Sequence, residues 1–71
     1  MNTKMLKHLV DLADGKVDCI NVGAFFNRFP KSAATLGDLR ILKQLGYISL
    51  LAADDDIEEI GVNKKALDYF K

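Results

Sequence analysis

The sequence predicts an α+β domain, and three observations predict it. Apolar residues recur at helical spacing over residues 5–13 and again through Leu39, Leu42 and Leu45, laying a stripe along one side of each segment. The period then shortens to about two over residues 47–53 and 57–62, as along strands with one buried face. Between those two runs stands Asp54-Asp55-Asp56, a polar interruption suited to the loop of a hairpin. Short helices cannot enclose a core at this length, and a hairpin with one apolar face supplies the missing wall.

Each element has its own local signals. Met5, Leu6, Leu9, Val10, Leu12 and Ala13 form the apolar side of a first helix, with Lys4, Lys7, His8, Asp11 and Asp14 opposite. Asn2 or Thr3 can cap its unpaired N–H groups, and Gly15 suits the left-handed residue that closes it. Residues 17–22 read as a short extended segment. Asn21 can cap a second helix carrying Ala24, Phe25, Phe26 and Phe29, which ends where Pro30 disfavours helical geometry at the residue before it. Ser32 is a natural cap for the third helix, and Gly46 stops it.

Pairing Ile48 with Val62 and Leu50 with Ile60 puts four aliphatic residues on one face of the hairpin and leaves the three aspartates as its loop. One of them is expected in the left-handed region, which Asp tolerates. Asn63 is placed to cap a last helix, in which Ala66, Leu67 and Phe70 can return to the core. The expected core is Leu6, Leu9, Val10, Ala13, Ala24, Phe25, Phe29, Leu39, Leu42, Leu45, Ile48, Leu50, Ile60, Val62 and Leu67.

Composition bounds the function. The 71 residues make one domain, residues 1–71, with ten basic and ten acidic side chains and 49% apolar residues, in the ordinary globular range. One cysteine excludes an internal disulfide framework and any zinc site built on several thiolates. No run approaches the roughly 20 apolar residues that span a bilayer, so no membrane association and a cytoplasmic location are expected. Glycine-rich phosphate cradles, paired catalytic carboxylates and metal-ligand spacings are missing, so no enzyme activity, cofactor or metal is expected. His8 reads as a solvated surface histidine and Cys19 as a small buried hydrophobe. The acidic run lacks the alternating ligands and glycine of a calcium loop. Phe25, Phe26 and Phe29 read as a packing centre rather than a base-stacking platform.

The run from Ser32 to Ile48 resembles the third helix and first strand of small bacterial winged helix-turn-helix proteins of the MarR-like or phage-regulator-like kind. Leu39 and Leu42 precede Gly46, and Tyr47-Ile48 open the strand. The run from Ile60 to Phe70 is similar to the second wing strand, capping residue and closing helix of the same family. The resemblance implies a three-helix core, a two-stranded β-hairpin wing and a short C-terminal helix. It also implies transcription regulation, with the third helix entering the major groove of double-stranded DNA. Carried over by position, the DNA-binding residues are Arg28, Lys31, Ser32, Leu36, Arg40 and Lys43, with Ala33 and Gly37 beside them. Arg40 could grip a guanine, while Arg28, Lys31 and Lys43 could meet phosphates.

Charge is segregated along the chain. Arg28, Lys31, Arg40 and Lys43 against Asp38 give residues 19–46 a charge of +3, whereas Asp54, Asp55, Asp56, Glu58 and Glu59 give residues 47–62 a charge of −5. An acidic wing beside DNA opposes phosphate neutralisation, the term that dominates binding. A second function therefore stands beside the first: a protein-interaction or dimerisation module. Tyr47, Leu51 and Ile57 on the outer hairpin face, with Asp54, Asp55 and Asp56, would meet a protein partner or a second copy.

Overall fold

The computed structural model describes residues 1–54 and 56–71. It is an α+β arrangement of four helices and one two-stranded antiparallel hairpin, compatible with a winged-helix layout. Helix α1 spans Thr3–Leu12 and begins where the Asn2 side chain accepts a hydrogen bond from the Met5 N–H at 3.0 Å. The chain leaves it through two left-handed residues, Asp14 and Gly15, the latter donating its N–H to the Val10 carbonyl at 3.1 Å. Helix α2, Val22–Arg28, is capped by the Asn21 side chain and ends at Phe29, held extended ahead of Pro30. Helix α3, Ala33–Gln44, starts with the Ser32 hydroxyl accepting from the Thr35 N–H at 3.2 Å.

Strands β1, Ile48–Ala53, and β2, Asp56–Val62, pair Ile48 with Val62 and Leu50 with Ile60, the expected register. Beyond Leu50 the ladder departs from regularity. Leu51 faces Glu59 but Ala52 faces Ile57, so Glu58 is an extra residue bulged out of β2. An insertion of one residue moves the neighbours beyond it to the other face of the sheet. Ile57, expected on the outer face, therefore shares the inner face with Leu50 and packs half-buried against the core.

The loop is also tighter than three aspartates. Asp56 is the first residue of β2, opposite Ala53, and Asp54 takes the left-handed conformation with φ 51°. Asp55 lies outside the described residues. The expected extended segment before α2 runs antiparallel to β2 with a single bridge, Cys19 to Gly61. Its backbone is held by the Ile20 N–H to the Ile60 carbonyl at 2.9 Å and the Val62 N–H to the Asp18 carbonyl at 2.8 Å.

Helix α4, Lys64–Tyr69, differs at its start: Asn63 occupies the cap position but its side chain makes no capping bond. The amide instead donates to the Gly46 carbonyl at 3.2 Å, and the Asn63 N–H reaches the Tyr47 carbonyl at 3.0 Å, so this residue ties the exit of α3 to the exit of β2.

The core gathers Met5, Leu6, Leu9 and Val10 of α1, Phe25 of α2, Leu39 and Leu42 of α3, and Ile48, Ile60 and Val62 of the hairpin, all buried. Ile20 and Ala66 join it, while Ala24, Phe29, Leu50 and Leu67 are half-buried. Leu45 is a correction, at 43% exposed. Two steps of three residues leave it roughly 120° behind Leu39 around the helix, and α3 has already ended at Gln44. Phe70 also stays out of the core, at 37% exposed.

Candidate functional site

Helix α3 and the hairpin enclose a groove of about 410 Å³ lined by Leu36, Arg40, Lys43, Leu50, Ala52, Asp54 and Ile57. Leu36, Leu50 and Ile57 are its half-buried apolar floor, and Arg40 and Lys43 project from α3 along its edge. Its shape arises from two local features. The Ser32 cap fixes where α3 begins and hence which side of the helix carries Leu36, Arg40 and Lys43, three to four residues apart. The bulge at Glu58 turns Ile57 inward to meet them. Among the described residues, neither Arg40 nor Lys43 has an ion-pair partner.

The other expected DNA-binding residues are placed differently. Lys31 is committed: its ammonium donates to the Asp56 carboxylate and lies 5.5 Å from the Phe26 ring centre, tying the turn before α3 to the hairpin. The Ser32 hydroxyl accepts the capping bond at the start of α3. Arg28, at the end of α2, stands outside the α3 groove. It lines a second groove of about 740 Å³ with Thr3, Lys4, Lys7, His8, Asp11 and Phe70. Ala33 is exposed and Gly37 half-buried.

Of the expected interaction residues, Leu51 is 52% exposed and faces outward beside Glu59. Tyr47 is half-buried: its ring meets Tyr69 edge-on at 5.7 Å and lies 4.7 Å from the Lys65 ammonium. That ammonium also donates to the Leu45 carbonyl. Asp54 lines the α3 groove and Asp56 holds Lys31, so the described tip carboxylates face α3 rather than standing clear of it.

Two further residues correct expectation. His8 is half-buried rather than fully solvated: its ring lies 5.6 Å from Phe29 and 6.1 Å from Phe25, and its Nε2 is buried without a hydrogen-bond partner. Burial, helped by the Arg28 charge and opposed by Asp11, lowers its pKa below the usual 6.5. Cys19 is exposed rather than buried, because the single bridge to Gly61 lays it along the outer side of the sheet.

Sequence reasoning missed two surfaces. Ile41 on α3 and Leu45 just past its end are 42% and 43% exposed, so apolar surface also lies on the outer side of this helix. Lys4 and Lys7 were visible on the polar side of α1, but nothing in the sequence brings Arg28 and Phe70 beside them. Among the described residues no helix is long and apolar enough to cross a membrane, and no cluster of His, Cys, Asp or Glu could hold a metal. No family model, curated protein or solved structure matches the chain.

Proposed function

We propose that the chain is a small winged-helix DNA-binding protein, a transcriptional regulator that presents α3 to double-stranded DNA. The observation that carries this reading is the pair of unpartnered cations, Arg40 and Lys43, exposed along one side of a helix whose start is fixed by the Ser32 cap. Arg40 is suited to a base edge or phosphate and Lys43 to phosphate, while Ala33 and Leu36 offer apolar contact to a thymine methyl. The hairpin tip limits affinity, since Asp56 occupies Lys31 and Asp54 shares the groove with Arg40 and Lys43. Binding is consequently modest and restricted to low salt.

A titration of labelled random duplex tests the reading. Binding is expected at ~50 mM salt and strong loss by ~200 mM, with a log–log slope of about −2 for the two phosphate-facing cations. Arg40→Ala combined with Lys43→Ala abolishes it with the fold intact by circular dichroism. A wild-type chain that binds no duplex at the lower salt overturns the proposal.

The second reading, an interaction module on the same scaffold, is favoured by Ile41 and Leu45 together: exposed aliphatic side chains on the helix assigned to DNA are suited to a protein surface.

A further inference from the structure

The groove lined by Lys4, Lys7, His8, Asp11, Arg28 and Phe70 has a charge that no single stretch of sequence displays. Residues 1–18 are neutral by count, but Asp14, Lys16 and Asp18 lie past the end of α1, outside this groove. Lys7 is held by Asp11 at 3.0 Å. Lys4 and Arg28 have no ion-pair partner among the described residues, so Lys4, Lys7 and Arg28 against Asp11 leave the groove about two uncompensated positive charges. Phe70, 37% exposed, forms its apolar wall.

The complementary surface is on the same molecule. The outer side of the hairpin presents Glu58 and Glu59, both exposed and without ion-pair partners among the described residues, beside Leu51, which is 52% exposed. The bulge concentrates this face, because the extra residue in β2 is Glu58.

We propose that this basic groove is a docking site for the acidic hairpin of a second copy of the chain, with the Lys4 and Arg28 cations meeting Glu58 and Glu59 and the Phe70 ring meeting Leu51. Charge complementarity selects the occupant. A chain with no net charge incurs little overall repulsion on self-association, and its segregated patches steer opposite faces together. Apolar contact between Phe70 and Leu51 adds stabilisation that salt does not screen. The proposal does not rest on duplex binding.

Charge reversal on each face tests it, read by light scattering during size-exclusion chromatography at tens of micromolar protein. Wild type is expected to run as a dimer or larger species at ~50 mM salt and to shift toward monomer at ~500 mM, where the Debye length falls to a few ångströms. Lys4→Glu with Arg28→Glu makes the groove acidic like the outer hairpin face, and Glu58→Lys with Glu59→Lys makes that outer face basic like the groove. Each variant alone is expected to be monomeric with an unchanged far-ultraviolet spectrum. An equimolar mixture restores the association, since each groove again meets a hairpin of opposite charge. A monomeric wild type at the lower salt, association indifferent to the reversals, or a mixture that stays monomeric overturns the proposal. So does a monomeric wild type whose duplex binding is lost with Lys4→Glu and Arg28→Glu, which assigns the groove to phosphate instead.

Discussion

Helices α1 and α3 both run along the core, and they treat their outer sides differently. α1 buries Met5, Leu6, Leu9 and Val10 and turns Thr3, Lys4, Lys7 and Asp11 to solvent, a strict division of apolar from polar. α3 buries Thr35, Leu39 and Leu42 but leaves Ile41 exposed, with Leu45 exposed at its end. Amphipathicity alone accounts for α1 as a wall of the domain. It does not account for α3, whose outer side carries aliphatic surface and cations that the fold itself does not use. The contrast marks α3 as the helix with an external role and α1 as a packing helix that acquires a charged groove only through Arg28 and Phe70.

The contrast is sharpest within α3, at neighbouring residues. Leu42 is fully buried and Ile41 is 42% exposed. Leu42→Ala should destabilise by roughly 2 to 5 kcal/mol, through lost transfer energy and a residual cavity. Ile41→Ala should cost no more than about 1 kcal/mol, because a large part of that side chain stays in water, no closed cavity is left, and the higher helix propensity of alanine offsets part of the loss. Urea unfolding of both variants gives the comparison directly. An Ile41 cost that approaches the Leu42 cost breaks it, and means that something covers the outer side of α3 in solution.

Two glycines of the same region extend the comparison to the backbone. Gly46 lies just past α3 with φ +86°, and a side chain there would touch only the Lys65 stem, 3.7 Å away. Gly46→Ala should therefore cost about 1 to 2 kcal/mol from left-handed strain rather than collision. Gly37 lies inside α3 with open space where a Cβ would stand. Gly37→Ala should stabilise by roughly 0.5 to 1 kcal/mol through helix propensity. Opposite signs in thermal unfolding sharpen the picture of a helix whose outer side is unfilled, and a destabilising Gly37→Ala breaks it.

The sequence makes local rules legible and leaves three-dimensional juxtaposition hidden. Asn2, Asn21 and Ser32 announce three helix starts because capping is a contact within three residues. The hairpin register can be read from its aliphatic alternation as far as Leu50 with Ile60. Ile57 then goes to the wrong face, since an inserted Glu58 leaves no mark in a pattern that is already irregular. Asn63 looks like a cap and bonds to Gly46 instead, a partner 17 positions away. Arg40 and Lys43 are legible as a pair on one helix, whereas the meeting of Lys4 and Lys7 with Arg28 and Phe70 depends on how three helices pack.

His8 offers the smallest effect and the finest check on α1, because it sits where the polar side of that helix turns into the aromatic cluster of α2. Burial and the Arg28 charge depress its pKa in the folded chain below the value of about 6.5 it takes when unfolded, and Asp11 opposes them. As pH falls through 6.5 the unfolded chain takes up a proton that the folded chain resists. Stability therefore falls as pH drops through the unfolded pKa, and the loss stops growing below the folded one. His8→Phe keeps a ring against Phe25 and Phe29 and removes the proton, so the stability difference between wild type and variant should be flat above neutrality and widen against wild type in acid. Urea midpoints of both proteins from pH 8 to about pH 5 measure it. A difference that moves the other way, with wild type gaining in acid, makes Asp11 the dominant neighbour and puts His8 back on the polar side of α1.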